Sequence, residues 1–182
     1  MDGCIYFMPY NARNILKLDP EDDSLSSVGD HLGGNVEGKY IGTVVGGNDD
    51  CLYGVPNDSH RIVRFNPLNQ EISFVGEDAD EFFSCIGGGV LGRDGHIYAV
   101  SFFTTTRSAR ILKIDIVNNT WSFVGNNMFQ FSINNVNVIL GNDGCIYLPP
   151  HSFEDNRAVL QFDPVLNDHP LEVGDGLGRD SN

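Results

Sequence analysis

The sequence predicts an all-β protein built from four tandem copies of one four-stranded unit. Three observations carry this. An aromatic strand motif returns every 45 to 49 residues, a turn signal precedes each return, and no stretch places apolar residues at helical spacing over a useful length.

The motif is Cys4-Ile5-Tyr6, which returns as Cys51-Leu52-Tyr53, His96-Ile97-Tyr98 and Cys145-Ile146-Tyr147. Asp2-Gly3, Asp49-Asp50, Asp94-Gly95 and Asp143-Gly144 stand directly before the four copies. Such pairs tolerate the positive φ of a tight hairpin. A second strand segment follows each tyrosine: Ile15 to Asp19, Ile62 to Asn66, Ile111 to Asp115 and Val159 to Asp163. Pro20, Pro67 and Pro164 close three of them, where a missing N–H stops strand pairing. A third segment ends in Val-Gly at Val28-Gly29, Val75-Gly76, Val124-Gly125 and Val173-Gly174. A last segment, Tyr40 to Gly46, Cys85 to Gly92 and Val136 to Gly141, leads back to the next turn. The repeats run approximately 1–48, 49–93, 94–142 and 143–182, within a single domain.

Four short strands in about 47 residues is the period of β-propeller blades. Ile5-Tyr6-Phe7-Met8 is apolar throughout, as expected of a sheet covered on both faces by neighbouring blades. If the strand before each Asp-Gly turn is the innermost, the chain starts at the second strand of blade one. It then carries 15 strands where four full blades need 16. Three arrangements are open: part of a propeller of more blades, a four-bladed ring with a three-stranded first blade, or two copies sharing one larger ring. An open or incomplete array would expose apolar blade faces and favour self-association.

Ile111 to Asp115, Asn118 to Ser122, Val138 to Leu140 and Asp143 to Tyr147 together resemble a kelch repeat. Kelch units carry a Gly-Gly pair directly after the Ile-Tyr strand, whereas here Gly46-Gly47 and Gly87-Gly88 precede it. The order of Asp-Gly turn, apolar strand and Ile-x-Lys-Ile-Asp is also similar to streptogramin-lyase-like and lactonase-type propellers. The kelch resemblance implies a non-enzymatic module that binds a protein or other ligand. The second implies the alternative, a propeller enzyme with a metal in its central channel.

Strand parity puts the inner-to-second and third-to-fourth loops on one face and the second-to-third and fourth-to-inner loops on the other. The second set is longer and differs between blades, which marks it as the expected binding face. The candidate binding residues there are Tyr10, Arg13, His60, Phe103, Arg107, His151 and Phe153, since exposed aromatics and arginines anchor interfaces. No catalytic residue and no metal ligand is assigned. His60 and His151 sit at similar places, but no second ligand repeats with them. The Asp-rich loops lack the spacing of a calcium loop. No cofactor is expected.

The chain has 11 basic and 25 acidic residues and a net charge of -14, so nucleic acid and anionic membrane are not expected partners. No apolar run approaches the length of a membrane span. Cys4, Cys51 and Cys145 occupy one position in three copies, too far apart to pair, and read as reduced fillers. With no leader segment at Met1, the expectation is a cytoplasmic protein.

Overall fold

The computed structural model describes residues 2–29, 32, 37–47, 49–78, 83–103, 105–106, 108–130, 137–149, 159–166 and 170–174. They form four antiparallel sheets in chain order. Sheet 1 holds β1 (Ile5–Phe7), β2 (Ile15–Asp19) and β3 (Ser24–Val28). Sheet 2 holds β4 (Tyr40–Val45), β5 (Leu52–Pro56), β6 (Ile62–Asn66) and β7 (Glu71–Val75). Sheet 3 holds β8 (Phe83–Leu91), β9 (Ile97–Phe103), β10 (Ser108–Asp115) and β11 (Thr120–Gln130). Sheet 4 holds β12 (Ile139–Leu140), β13 (Ile146–Leu148), β14 (Val159–Phe162) and β15 (Leu171–Val173). Within each sheet the strands pair in sequence order, so each is a meander. The 15 strands fall as the repeat predicts, with the three-stranded sheet first.

The turns explain the registers. Gly3, Asp50, Gly95 and Gly144 all take positive φ, between 52° and 82°, at the same step of the turn before each Tyr strand. Asp50 is the one non-glycine among them, and aspartate is among the residues that tolerate this region. Gly46 N–H bonds Cys51 O, Gly92 N–H bonds His96 O and Gly141 N–H bonds Cys145 O, each at 2.8 Å. Asp23, Gln70 and Asn119 take positive φ at one shared step of the outer hairpins. The residue that ends or directly follows the strand before each outer hairpin accepts backbone N–H bonds through its side chain: Asp19, Asn66 and Asp115 at strand ends and Asp163 just after β14.

Three cores lie between consecutive sheets. Ile15 and Val28 meet Leu52, Val63 and Phe65 between sheets 1 and 2. Tyr53, Val55 and Ile62 meet Ile97, Leu112 and Ile114 between sheets 2 and 3. Tyr98, Val100 and Ile111 meet Ile146, Leu160 and Phe162 between sheets 3 and 4. Sheets 2 and 3 are therefore covered on both faces, and every residue of β5 and β9 is buried. Near the inner edge β4 and β8 approach until a Cβ on Gly42 would lie 2.9 Å from the Gly88 Cα. At the outer edge Trp121 Nε1 donates to Glu77 O at 3.0 Å, and from the β8–β9 turn Arg93 Nη2 holds both Asp163 oxygens at 2.6 and 2.7 Å. Among the described residues, no core joins sheet 4 to sheet 1.

Candidate binding face

The loop after β1, the end of the β3–β4 connection and the loop after β5 meet on one face, as strand parity requires. Lys39 N–H bonds Tyr10 O at 2.8 Å, and Gly38 N–H bonds Asn11 Oδ1 at 2.9 Å. Asn57 N–H then bonds Lys39 O, and Asp58 N–H bonds Gly38 O, both at 2.8 Å. The Asn57 amide donates to Gly38 O at 3.0 Å, and Ser84 of β8 donates its hydroxyl to Asp58 Oδ1 at 3.2 Å. Glycine suits position 38: its φ is +68°, and a Cβ would lie 2.6 Å from Asp58 Oδ2, so a larger residue would be strained and would have to displace that carboxylate. Blades one and two are thus tied at this face by backbone bonds that fix the loops, and the Ser84–Asp58 side-chain bond adds blade three.

On this frame Tyr10 is 51% exposed, and Arg13 and His60 are exposed as well. Arg61 lies beside them, stacked 3.6 Å from the Phe74 ring centroid and paired with Asp78 at 2.7 Å. In the sequence Arg61 adjoins the strand Ile62–Asn66 and reads as its flank, which hides its place on this face. Ser59 donates to the Tyr40 hydroxyl at 3.3 Å, and burial pushes the Tyr40 phenol above its ordinary range. Among the described residues, no group of three or more His, Cys, Asp or Glu side chains is arranged to hold a metal ion.

Phe103 is placed otherwise than expected. It is the last residue of β9, only 3% exposed, with its ring 5.0 Å from Phe123 and 6.0 Å from Phe83. The Arg110 guanidinium lies over it at 4.8 Å. The cause is strand length: β9 and β10 extend further than their counterparts, so the residues assigned to a loop become paired sheet, Phe103 opposite Ser108. Arg107, His151 and Phe153 lie outside the described residues.

The opposite face carries a clamp that repeats in every blade. Asp2, Asp49, Asp94 and Asp143 each accept the backbone N–H two residues on, at 3.0 to 3.3 Å. Each also accepts the hydroxyl of the tyrosine four residues on: Tyr6, Tyr53 and Tyr98 at 2.7 Å and Tyr147 at 2.6 Å. The neighbouring strand adds a third member. Lys17 reaches Asp2 at 2.9 Å, Arg64 reaches Asp49 at 3.1 Å, Lys113 stands 3.6 Å from Asp94, and Gln161 donates to Tyr147 at 3.0 Å. The Tyr6 and Lys17 bonds hold the Asp2 carboxyl well below the carboxylate range. Burial works against the Asp49 carboxylate, but donation from Tyr53, Cys51 N–H and Arg64 outweighs it and keeps that carboxyl low. Burial, then the Asp2 hydrogen bond, pushes the Tyr6 phenol up to about 12. The signal was legible: Asp and Tyr stand four apart in all four copies, and a cation or amide occupies the third place of each following strand.

No known protein family profile matches the chain. No curated protein matches it either. Solved structures do. Hydrazine synthase from Kuenenia stuttgartiensis superposes with a TM-score of 0.62 at 12% identity, over 88% of this chain and 43% of that one. A structural genomics protein of unknown function from Bacteroides thetaiotaomicron VPI-5482 superposes with a TM-score of 0.63 at 15% identity, over 93% of this chain and 44% of that one. The fold is propeller-like. The chain spans less than half the length of these two structures, and identities this low speak to architecture alone.

Proposed function

We propose that the chain is a non-enzymatic propeller module that binds a protein partner, or another ligand, through the face carrying Tyr10, Arg13 and His60. One observation carries the reading: backbone hydrogen bonds among three loops hold an exposed aromatic and exposed basic side chains on a fixed frame. Rigid loops present anchors at low entropic cost, and aromatic and arginine side chains dominate binding hot spots. Arg61, stacked on Phe74, extends the anchor set. The kelch-like order of strands and turns supports a binding rather than a catalytic role. Arg107, His151 and Phe153 remain part of the proposed face.

The test begins with affinity capture on the purified chain to identify a partner, which is then purified. Its binding is measured to the wild-type chain and to a Tyr10→Ala, Arg13→Ala, His60→Ala variant. Loss of at least about tenfold in affinity, with melting unchanged, is expected for hot-spot residues. Equal affinity would place the binding face elsewhere.

A further inference from the structure

The three cores between sheets are built to one pattern. In each, the clamp tyrosine of one sheet enters the core shared with the next sheet. The tyrosine of sheet 1, Tyr6, lies 5.5 Å from Phe65 of sheet 2, and Tyr98 of sheet 3 lies 5.4 Å from Phe162 of sheet 4. Tyr53 and Ile114 share the core between sheets 2 and 3. Phe65, Ile114 and Phe162 hold one register position, opposite Leu52, Ile97 and Ile146. The same position in sheet 1 is Leu18, opposite Ile5. Every internal junction therefore sets a tyrosine-bearing face on a face of the Phe65 type.

Each end of the array keeps one half of such a junction uncovered. The outward face of sheet 1 carries Ile5, Leu16 and Leu25, which are 47%, 39% and 65% exposed. Their register counterparts in sheet 2, Leu52, Val63 and Ile72, lie in or against a core, with Leu52 4% and Val63 0% exposed. The outward face of sheet 4 carries Ile139, Tyr147, Val159 and Val173. Ile139 is 54% exposed, whereas its counterpart Val44 in sheet 2 is buried. The strand-ending glycines give a knob and its hole. A Cβ on Gly29 would lie 2.6 Å from Ile72 Cδ1, and one on Gly76 would lie 2.9 Å from Trp121 Cδ1. Gly174 has no neighbour within 4 Å of its Cβ position among the described residues, and Leu25, which pairs with Leu18 as Ile72 pairs with Phe65, stands exposed on sheet 1.

We propose that the outward face of sheet 4 docks on the outward face of sheet 1 of a second copy of this chain, and the reverse, closing one ring from two chains. The two faces differ, so the contact is heterologous. It leaves no apolar face open only if the rotation closes, and with two copies the same junction is made twice about a twofold axis. The occupant is a second copy because the faces complement each other by the pattern the chain already uses three times, and among the described residues the chain's own sheets 1 and 4 share no core. The proposal is independent of the loop face, which lies at the end of the strands rather than on the sheet surfaces.

The test is light scattering on a size-exclusion column, from about 1 to 100 μM, with two further arms. The expected mass is twice the 20.0 kDa of the chain, and Leu25→Glu should halve it while keeping a cooperative melt. A Leu25→Cys chain mixed with a Gly174→Cys chain should give a disulfide-linked pair under mild oxidation, and neither variant alone should. A wild-type monomer across the range, or a mass that climbs with concentration, would overturn the proposal. So would a dimer indifferent to Leu25→Glu that forms no mixed disulfide.

Discussion

Removing one hydroxyl tests whether the repeated clamp stabilises each blade. In Tyr53→Phe the ring stays in its core, while the 2.7 Å bond the hydroxyl donates to Asp49 and the 3.1 Å bond it accepts from Arg64 Nε are lost; Arg64 keeps its own 3.1 Å bond to the Asp49 carboxylate. A hydrogen bond to a charged group contributes about 1.5–3 kcal/mol net. The Asp49 side chain is a quarter exposed, so water replaces part of the lost donation. That favours the lower end, about 1.5–2 kcal/mol, or roughly 3–8 °C in Tm for a chain of this size. Urea unfolding should show a lower midpoint at an unchanged slope, because the surface exposed on unfolding is the same. The pH dependence follows from the depressed Asp49 carboxyl. Its stabilisation is present above the unfolded carboxylate value of about 3.9 and is lost as pH falls through the lower folded value. The gap between wild type and variant should be full at pH 7 and close in strong acid. A gap below about 0.5 kcal/mol at pH 7, or one that persists unchanged into acid, would refute the clamp as a source of stability.

Other consequences are open to direct measurement. Gly42→Ala should destabilise by about 1–3 kcal/mol, since its Cβ meets backbone at Gly88, while Gly88→Ala, with open space, should be neutral or slightly stabilising; denaturant midpoints of the two decide it. Tyrosinate formation, read by ultraviolet absorbance, should lag that of the denatured chain, because the folded Tyr6 phenol is raised to about 12; the stability it confers is present below about 10 and lost as pH rises through the folded value. Cys51, Cys85 and Cys145 are buried free thiols, and burial raises the Cys51 thiol to about 11, so a thiol reagent at pH 8 should label them only on unfolding; fast labelling in the native state would contradict the packing.

Much of the architecture is written in the chain because propeller-like blades repeat their punctuation. The Asp-Gly turns, the tyrosines and the Val-Gly strand ends locate the sheets, and the strand missing from sheet 1 follows from where Ile5 stands in the pattern. The misplaced Phe103 has the same physical origin as the success. A strand buried on both faces loses its polar alternation, so Ile97–Phe103 gives no sign of where sheet ends and loop begins. The frame of the candidate site was legible only in part. Tyr10 and His60 read as loop residues, but the bonds linking Asn11, Gly38 and Asn57 join positions 27 and 19 residues apart and follow from the stacking of sheets, which no local pattern encodes.

Hydrogen–deuterium exchange followed by mass spectrometry tests the central claim, that four sheets stack in chain order with the middle two covered on both faces. The account predicts the slowest amides in β5, β6, β9 and β10, and faster exchange in β1, β3 and β15 at the ends of the stack. Exchange in β5 and β9 as fast as in β1 and β15 would contradict it.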